Sequence, residues 1–142
     1  MRIEILKKSS LTANLQDQVC TLFKQLSPNK EQLELDEILM EDNPVTLVGC
    51  FIGDRIVGIS SMAIYKVISG NKGWIEDVIV DGNYRGMGIG LKLIEKLLSI
   101  SNEKQLSEVL LFTEEHRTPA ISLYEKLGFR RKESNIYRLK KI

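Results

Sequence analysis

Tyr84-Arg85-Gly86-Met87-Gly88-Ile89-Gly90 joins two runs of different character. Before it lies an apolar run, Trp74 to Val80, which reads as a strand. After it comes an amphipathic run, Leu91 to Ile100, which reads as a helix. Alternate glycines remove side chains and let a bound group touch the backbone. The helix that follows aims its unpaired N–H groups and its positive dipole end back at the loop. Such a loop suits an anion, most naturally a phosphate or pyrophosphate.

The spacing discriminates between phosphate ligands. A Walker loop ends in Gly-Lys-Ser/Thr, whereas Gly90 is followed by Leu91 and Lys92. A dinucleotide fingerprint needs a third glycine three places after the second, and those places hold Leu91 or Leu93. Its ribose-binding acid is also missing from the end of the next strand, since Glu108 lies near that strand's start. What remains is Arg85-x-x-Gly88-x-Gly90, preceded by IEDVIVDGNY. This run resembles the acetyl-CoA pyrophosphate loop of the GNAT superfamily of N-acetyltransferases. The plain alternative is a glycine turn between a strand and a helix. A second stretch, RTPAISLYEKLGF at residues 117 to 129, is similar to the superfamily's A-x-x-L-Y-x-x-x-G-F segment through Ala120, Leu123, Tyr124, Gly128 and Phe129. The two motifs stand in the superfamily's order, and the resemblance covers roughly residues 45 to 142.

Bulk properties set the outer bounds. The chain has 142 residues and a net charge of +1. Its length is that of one domain, taken as residues 1–142, and its charge marks no nucleic-acid or membrane protein. MRIEILKK alternates apolar and charged residues like a strand and has no signal-peptide core. No apolar stretch reaches membrane-span length, so the expected location is the cytoplasm. Cys20 and Cys50 read as small buried residues, and with His116 the single histidine there is little for a metal site, so none is expected.

Along the chain, residues 2 to 7 read as a strand. Leu15, Val19, Leu22 and Leu26 recur at helical spacing behind Thr12, a candidate N-cap. Lys30 to Met40 reads as a second, shorter helix. Val45 to Ile52, Arg55 to Val67 and Trp74 to Val80 read as an antiparallel meander, with turns at Gly53-Asp54 and Ser69 to Gly73. The helix after the glycine loop runs to about Asn102 and faces inward with Ile89, Leu93, Ile94, Leu97 and Leu98. Glu108 to Thr113 contains VLLF, expected of a buried central strand. Pro119 opens a last helix and Gly128 closes it. Phe129 to Leu139 is expected to supply one or two more strands, the last a solvated basic edge. The expected fold is α/β, a mixed and mostly antiparallel central sheet with helices on both faces, as the GNAT-like acyl-CoA fold implies.

Amine acetylation needs a base, an oxyanion holder and a proton for the leaving thiolate. Glu76 and Asp77 are acids inside an apolar strand, which is unusual for strand interiors. They read either as a base or as partners for a neighbouring cation. Adjacent strand residues point to opposite faces, so only one should face a given cleft unless a bulge intervenes. IED here resembles the glucosamine-phosphate N-acetyltransferase branch, which makes Glu76 the first candidate and Asp77 the second. The resemblance also implies that the backbone of Val78, Ile79 and Val80 cradles the thioester and pantetheine arm. Arg85 and the amides of Gly86, Met87, Gly88, Ile89 and Gly90 would hold the phosphates of acetyl-CoA. Tyr124 lies in an apolar stripe with Ala120, Leu123 and Leu127, which alone reads as core. The resemblance makes it the acid that protonates CoA thiolate, its phenol carrying a proton below pH ~10. Arg117 stands where many members carry asparagine and is assigned to CoA, as in an arginine-bearing subgroup.

The implied activity is acetyl-CoA-dependent N-acetyl transfer to the primary amine of a small soluble acceptor, by direct attack in a ternary complex. A homodimer is kept as an option, and neither nucleic acid nor membrane is an expected partner. Three other readings stand beside it: a non-catalytic acyl-CoA-binding module, an interaction domain with a merely structural loop, and a peptide or protein N-acetyltransferase.

Overall fold

Alternation along Val45–Ile52 builds a sheet with two buried faces. Leu47 and Phe51 join the cluster that contains Leu15, Val19 and Leu22 of the first helix, while Val48 and Cys50 between them are fully buried on the opposite side. The computed structural model describes residues 1–142. They divide into two compact units, Met1–Phe112 and Thr113–Ile142.

The first unit holds an open five-stranded sheet in the order β1 (Arg2–Ile5), β2 (Val45–Ile52), β3 (Arg55–Val67), β4 (Gly70–Val80) and β5 (Glu108–Leu111). The β1–β2, β2–β3 and β3–β4 pairs are antiparallel and β4–β5 is parallel. A parallel neighbour requires a crossover, and α3 (Ile89–Glu103) supplies it. The α1 helix (Ala13–Leu26) covers one face. Thr12 caps it, its hydroxyl accepting from Leu15 N–H at 3.1 Å. On the other face α3 lies so close that a Cβ on Gly58 would stand 2.8 Å from Ile89 and 3.1 Å from Leu93. This contact, rather than a turn, explains the glycine in mid-strand.

The mixed sheet with helices on both faces is as the sequence implied, with four local differences. Lys30 to Met40 is not one helix. Only Leu35–Ile38 (α2) is helical, and the segment is tied to α1 by side chains: Gln32 donates to Cys20 O and Leu35 N–H donates to Gln16 Oε1. The Ser69 to Gly73 turn shrinks to Ile68 and Ser69, because Gly70 at φ +151° already pairs with Val67. The α3 face buries Ile100, one turn beyond Leu97, while Leu98 is only half-buried. β5 is an edge strand with half-buried residues, not a central one, since Phe129 to Leu139 adds no strand beside it. In that tail charged residues interrupt the apolar ones, and Ile136, Tyr137 and Leu139 are exposed.

The second unit contains α4 (Thr118–Lys126) with Pro119 in its first turn. Its end is a Schellman closure. Gly128 at φ +99° donates to Glu125 O, and Phe129 N–H reaches back to Tyr124 O at 3.1 Å. The rings of Tyr124 and Phe129 then meet edge to face at 6.0 Å. The Tyr-x-x-x-Gly-Phe spacing therefore has a local structural cause.

Leu97 is fully buried on α3. Replacing it with Ala should lower stability by about 2–5 kcal/mol in urea unfolding followed by circular dichroism. A loss below about 1 kcal/mol would mean that this face of α3 is not closely packed.

Candidate active site

Strand β4 loses its regular ladder where its acids stand. Ile59 pairs with Ile79 and Ser61 with Glu76, so Asp77 and Val78 together oppose the single residue Ser60. Asp77 adopts φ +53°, a left-handed conformation that costs free energy for a non-glycine residue but suits aspartate better than most. The extra residue is a β-bulge, and it suspends the rule that adjacent side chains take opposite faces. Glu76 and Asp77 consequently lie close enough to repel one another. Burial pushes the Glu76 carboxyl up and the Asp77 charge adds to that, while the Lys30 ammonium acts in the other direction. Burial also pushes Asp77 up, again against Lys30. Both carboxylates keep contact with solvent.

The same stretch leaves the sheet. β4 and β5 pair only from Lys72↔Glu108 to Ile75↔Leu111, so Glu76–Val80 has no ladder on the β5 side. Ile79 turns its side chain into the core at 4% exposure, which leaves its backbone as the group it can offer a ligand. An extended amide-bearing molecule could add there as a strand does.

Beyond β4 a 3-10 turn, Gly82–Tyr84, sets the direction of the glycine loop. Asp81 begins it, its Oδ1 accepting from Asn83 N–H at 2.9 Å, and Gln25 Oε1 of α1 accepts from Gly82 N–H at 3.0 Å. Arg55 stands 3.7 Å from Asp81 and 5.9 Å from the centre of the Tyr84 ring. Gly86 and Gly88 take φ +81° and +76°, and a Cβ at either would meet nothing within 4 Å. Their glycines therefore serve conformation and open space rather than internal packing. Gly88 is the N-cap of α3, without a side-chain cap, and the first helical bond runs from Lys92 N–H to Gly88 O. Ile89, Gly90 and Leu91 thus head the helix with N–H groups that no cap satisfies. Ile89 buries its side chain in the core, Met87 is exposed, and Arg85 follows the 3-10 turn. Backbone donors at an uncapped helix N-terminus, with the dipole end behind them, are of a kind that can hold an anion.

The first unit so gathers Glu76, Asp77, Val78, Ile79, Val80 and Arg85 to Gly90 on one continuous run. Arg117 and Tyr124 belong to the second unit. Tyr124 is 8% exposed, and burial raises its phenol while the Arg117 guanidinium acts the other way. Arg117 forms the N-cap position of α4. His116 sits beside Glu114 at 3.2 Å, both well exposed. No three His, Cys, Asp or Glu side chains cluster as a metal site would need. Sequence reading passed over Lys30, which carries no local signal. Among the loop's supports Gln25, Arg55 and Asp81, which the sequence reading does not single out, only Asp81 carries a local signal, the Asp-Gly-Asn turn pattern.

The acetyltransferase (GNAT) family model matches residues 12–129. A glucosamine 6-phosphate N-acetyltransferase of Trypanosoma brucei brucei is 46% identical over 82 residues, 56% of this chain and 54% of that protein. A human N-alpha-acetyltransferase 30 is 36% identical over 85 residues, 56% of this chain and 23% of that protein. The match thus spans about half the length of the first relative and less of the second. A crystal structure of a Trypanosoma brucei acetyltransferase is 31% identical, with a TM-score of 0.79 over 99% of both chains.

The raised Glu76 carboxyl carries a pH signature. A carboxyl pushed up in the folded state favours its neutral form there, so its contribution is intact below the ordinary value of 4.5 and is lost as pH rises through the folded value. Glu76→Gln should therefore be more stable than the parent near neutral pH, the difference vanishing at pH about 4. Urea midpoints at both pH values check this, and a neutral-pH loss of stability would reverse the assignment.

Proposed function

The chain belongs to the acetyltransferase (GNAT) family, and from that membership and the geometry of its site we propose that it is an N-acetyltransferase moving an acetyl group from acetyl-CoA to the primary amine of a small acceptor. The observation that carries this reading is the run Glu76–Gly90, where a strand edge without a partner leads directly into an uncapped helix N-terminus. An acyl-CoA has the matching parts: an amide-bearing arm for the edge of Val78, Ile79 and Val80, and a pyrophosphate for Arg85 and the amides of Gly86 to Gly90. We take residues 1–142 as one domain, a reading supported by a 31% identical structure that matches along 99% of both chains. No helix is long and apolar enough to cross a membrane. Two free cysteines are compatible with a cytoplasmic setting.

In the proposed reaction Glu76, with Asp77 second, takes the proton of the bound ammonium, directly or through water. The neutral nitrogen attacks the thioester carbon, the C–N bond forms and the C–S bond breaks. A backbone N–H of the β4 edge polarises the carbonyl. Tyr124 gives its proton to the departing thiolate and recovers one as the acylated nitrogen sheds its remaining extra proton through water, and Glu76 releases the proton it took to solvent. A base with a raised pKa is better matched to this proton transfer than an ordinary glutamate. Arg117 is assigned to the CoA phosphates. The acceptor class tested first is an amino sugar or its phosphate. It is supported by the 46% identity over 82 residues to a glucosamine 6-phosphate N-acetyltransferase. The similarity to an N-alpha-acetyltransferase favours a second reading, a peptide α-amine as acceptor.

Acetyl-CoA should raise the melting temperature, by a linkage of about 2.7 kcal/mol at 100 times its dissociation constant, whereas ATP and NAD should not. Thiol release across amino sugars, polyamines, amino acids and peptides then tests transfer. Stabilisation without release identifies a binding module, release confined to peptides selects the second reading, and no response to CoA ends the proposal.

Tyr124→Phe keeps the ring that packs against Phe129 and removes only the hydroxyl. We expect turnover to fall about tenfold or more with acetyl-CoA affinity and melting temperature little changed. Normal turnover would leave Tyr124 as a core tyrosine only.

A further inference from the structure

A groove of about 570 Å³ lies between α1 and the β2–β3 turn, apart from the acids of β4. One wall is a single stripe of α1 that includes Asp17, Gln18 and Gln25. The other carries Asp54 and Arg55, and Asp81 closes one end. Leu22 and Ile56, both buried, give it an apolar floor. The groove is open to solvent, so a ligand there would lie along the surface between its two polar walls.

The polar groups define the ligand. Three carboxylates line the groove against one guanidinium, and that guanidinium already faces Asp81 at 3.7 Å. Asp17 and Asp54 stand on opposite walls and take part in none of the ion pairs. Gln18 and Gln25 give their carbonyl oxygens to Ile56 N–H and Gly82 N–H, at 2.9 and 3.0 Å, so that each keeps an amide NH2 as a donor. An anion is disfavoured here. A molecule with two spaced ammonium groups complements both walls.

The groove also touches the supports of the phosphate loop. Gln25 holds the N–H of Gly82, and Asp81 holds that of Asn83 while facing Arg55, which in turn lies near the Tyr84 ring. A cation settling between Asp17 and Asp54 would shift the balance of the Arg55–Asp81 pair from which the loop begins. We propose that this groove is a second ligand site, separate from the acetyl-transfer site, that takes a small oligoamine or amino-polyol cation and passes its occupancy to the glycine loop through Gln25 and the Arg55–Asp81 pair. Binding to the groove does not rest on the acetyltransferase reading, because it is measurable without acetyl-CoA; the coupling to the glycine loop does rest on it.

Spermine titrated calorimetrically into the full chain at low salt tests it. The expected dissociation constant is about 1 mM or lower. Asp17→Asn with Asp54→Asn should weaken binding about tenfold, the combined effect of two solvent-facing ion pairs, and both positions are exposed enough to leave the fold intact. Glu76→Gln with Asp77→Asn should leave spermine binding in place, which separates the groove from an acceptor pocket. Saturating spermine should change the acetyl-CoA dissociation constant about fivefold or more. The site is overturned if spermine does not bind, or if its binding depends on Glu76 and Asp77 rather than on Asp17 and Asp54. Unchanged acetyl-CoA affinity under saturating spermine would overturn the coupling.

Discussion

The orphan N–H groups at the head of α3 constrain everything around them. A helix must leave its first amides without intrahelical partners, and this one has no capping side chain to satisfy them. They stay available only if the loop holds a shape that few residues tolerate, which accounts for Gly86 and Gly88 at positive φ. The loop in turn needs a fixed start. Gln25 from α1 and Asp81 at the end of β4 provide it, so the first helix and the sheet both act on the loop. Behind the loop, Ile89 anchors the first turn of α3 against Gly58. The donors this loop offers thus come mostly from main chain, and side chains work mainly at its supports.

Strand β4 divides its length between structure and chemistry. From Lys72 to Ile75 it lies between two paired neighbours, and from Glu76 onward it keeps only β3. The change falls at the bulge, where Asp77 takes a strained backbone and Ser60 opposite is fully buried with no partner for its hydroxyl. Strained backbone, raised carboxyls and an unsatisfied buried group in one place are costs the rest of the fold must offset. The continuous core beneath α3, with Leu93, Ile94 and Leu97 fully buried, is the most evident source of that stability.

Sequence patterns exposed those parts of the molecule that are governed by local rules. Thr12 as a cap, the period of α1, the strands from Val45 and Arg55, and Gly128 as a helix stop all follow from interactions within a few residues. The glycine loop was readable because backbone conformation there restricts residue choice. The bulge at Asp77 was not, since nothing local distinguishes a bulged Asp-Val from a regular pair, and the register is set by β3. The segment from Lys30 to Met40 misled because its apolar residues have helical spacing. It is nonetheless tied to α1 by two non-local bonds: Leu35 N–H donates to the Gln16 side chain nineteen residues back, and the Gln32 side chain donates to the Cys20 carbonyl twelve residues back. The tail after Phe129 alternates enough to resemble strands, but alternation does not supply a partner. The influence of the Lys30 charge on the two acids arises from tertiary structure alone.

The Schellman closure of α4 has a consequence for how its tyrosine can change. Tyr124 gives its carbonyl to Phe129 and its ring edge to the same residue, so backbone and side chain are fixed by one short loop. Its ring orientation is then inherited from Gly128, whose left-handed turn brings Phe129 back over the helix. An alteration at Gly128 would accordingly reach the phenol without touching it. The hydroxyl's aim is set four residues downstream, by a residue that has no side chain of its own.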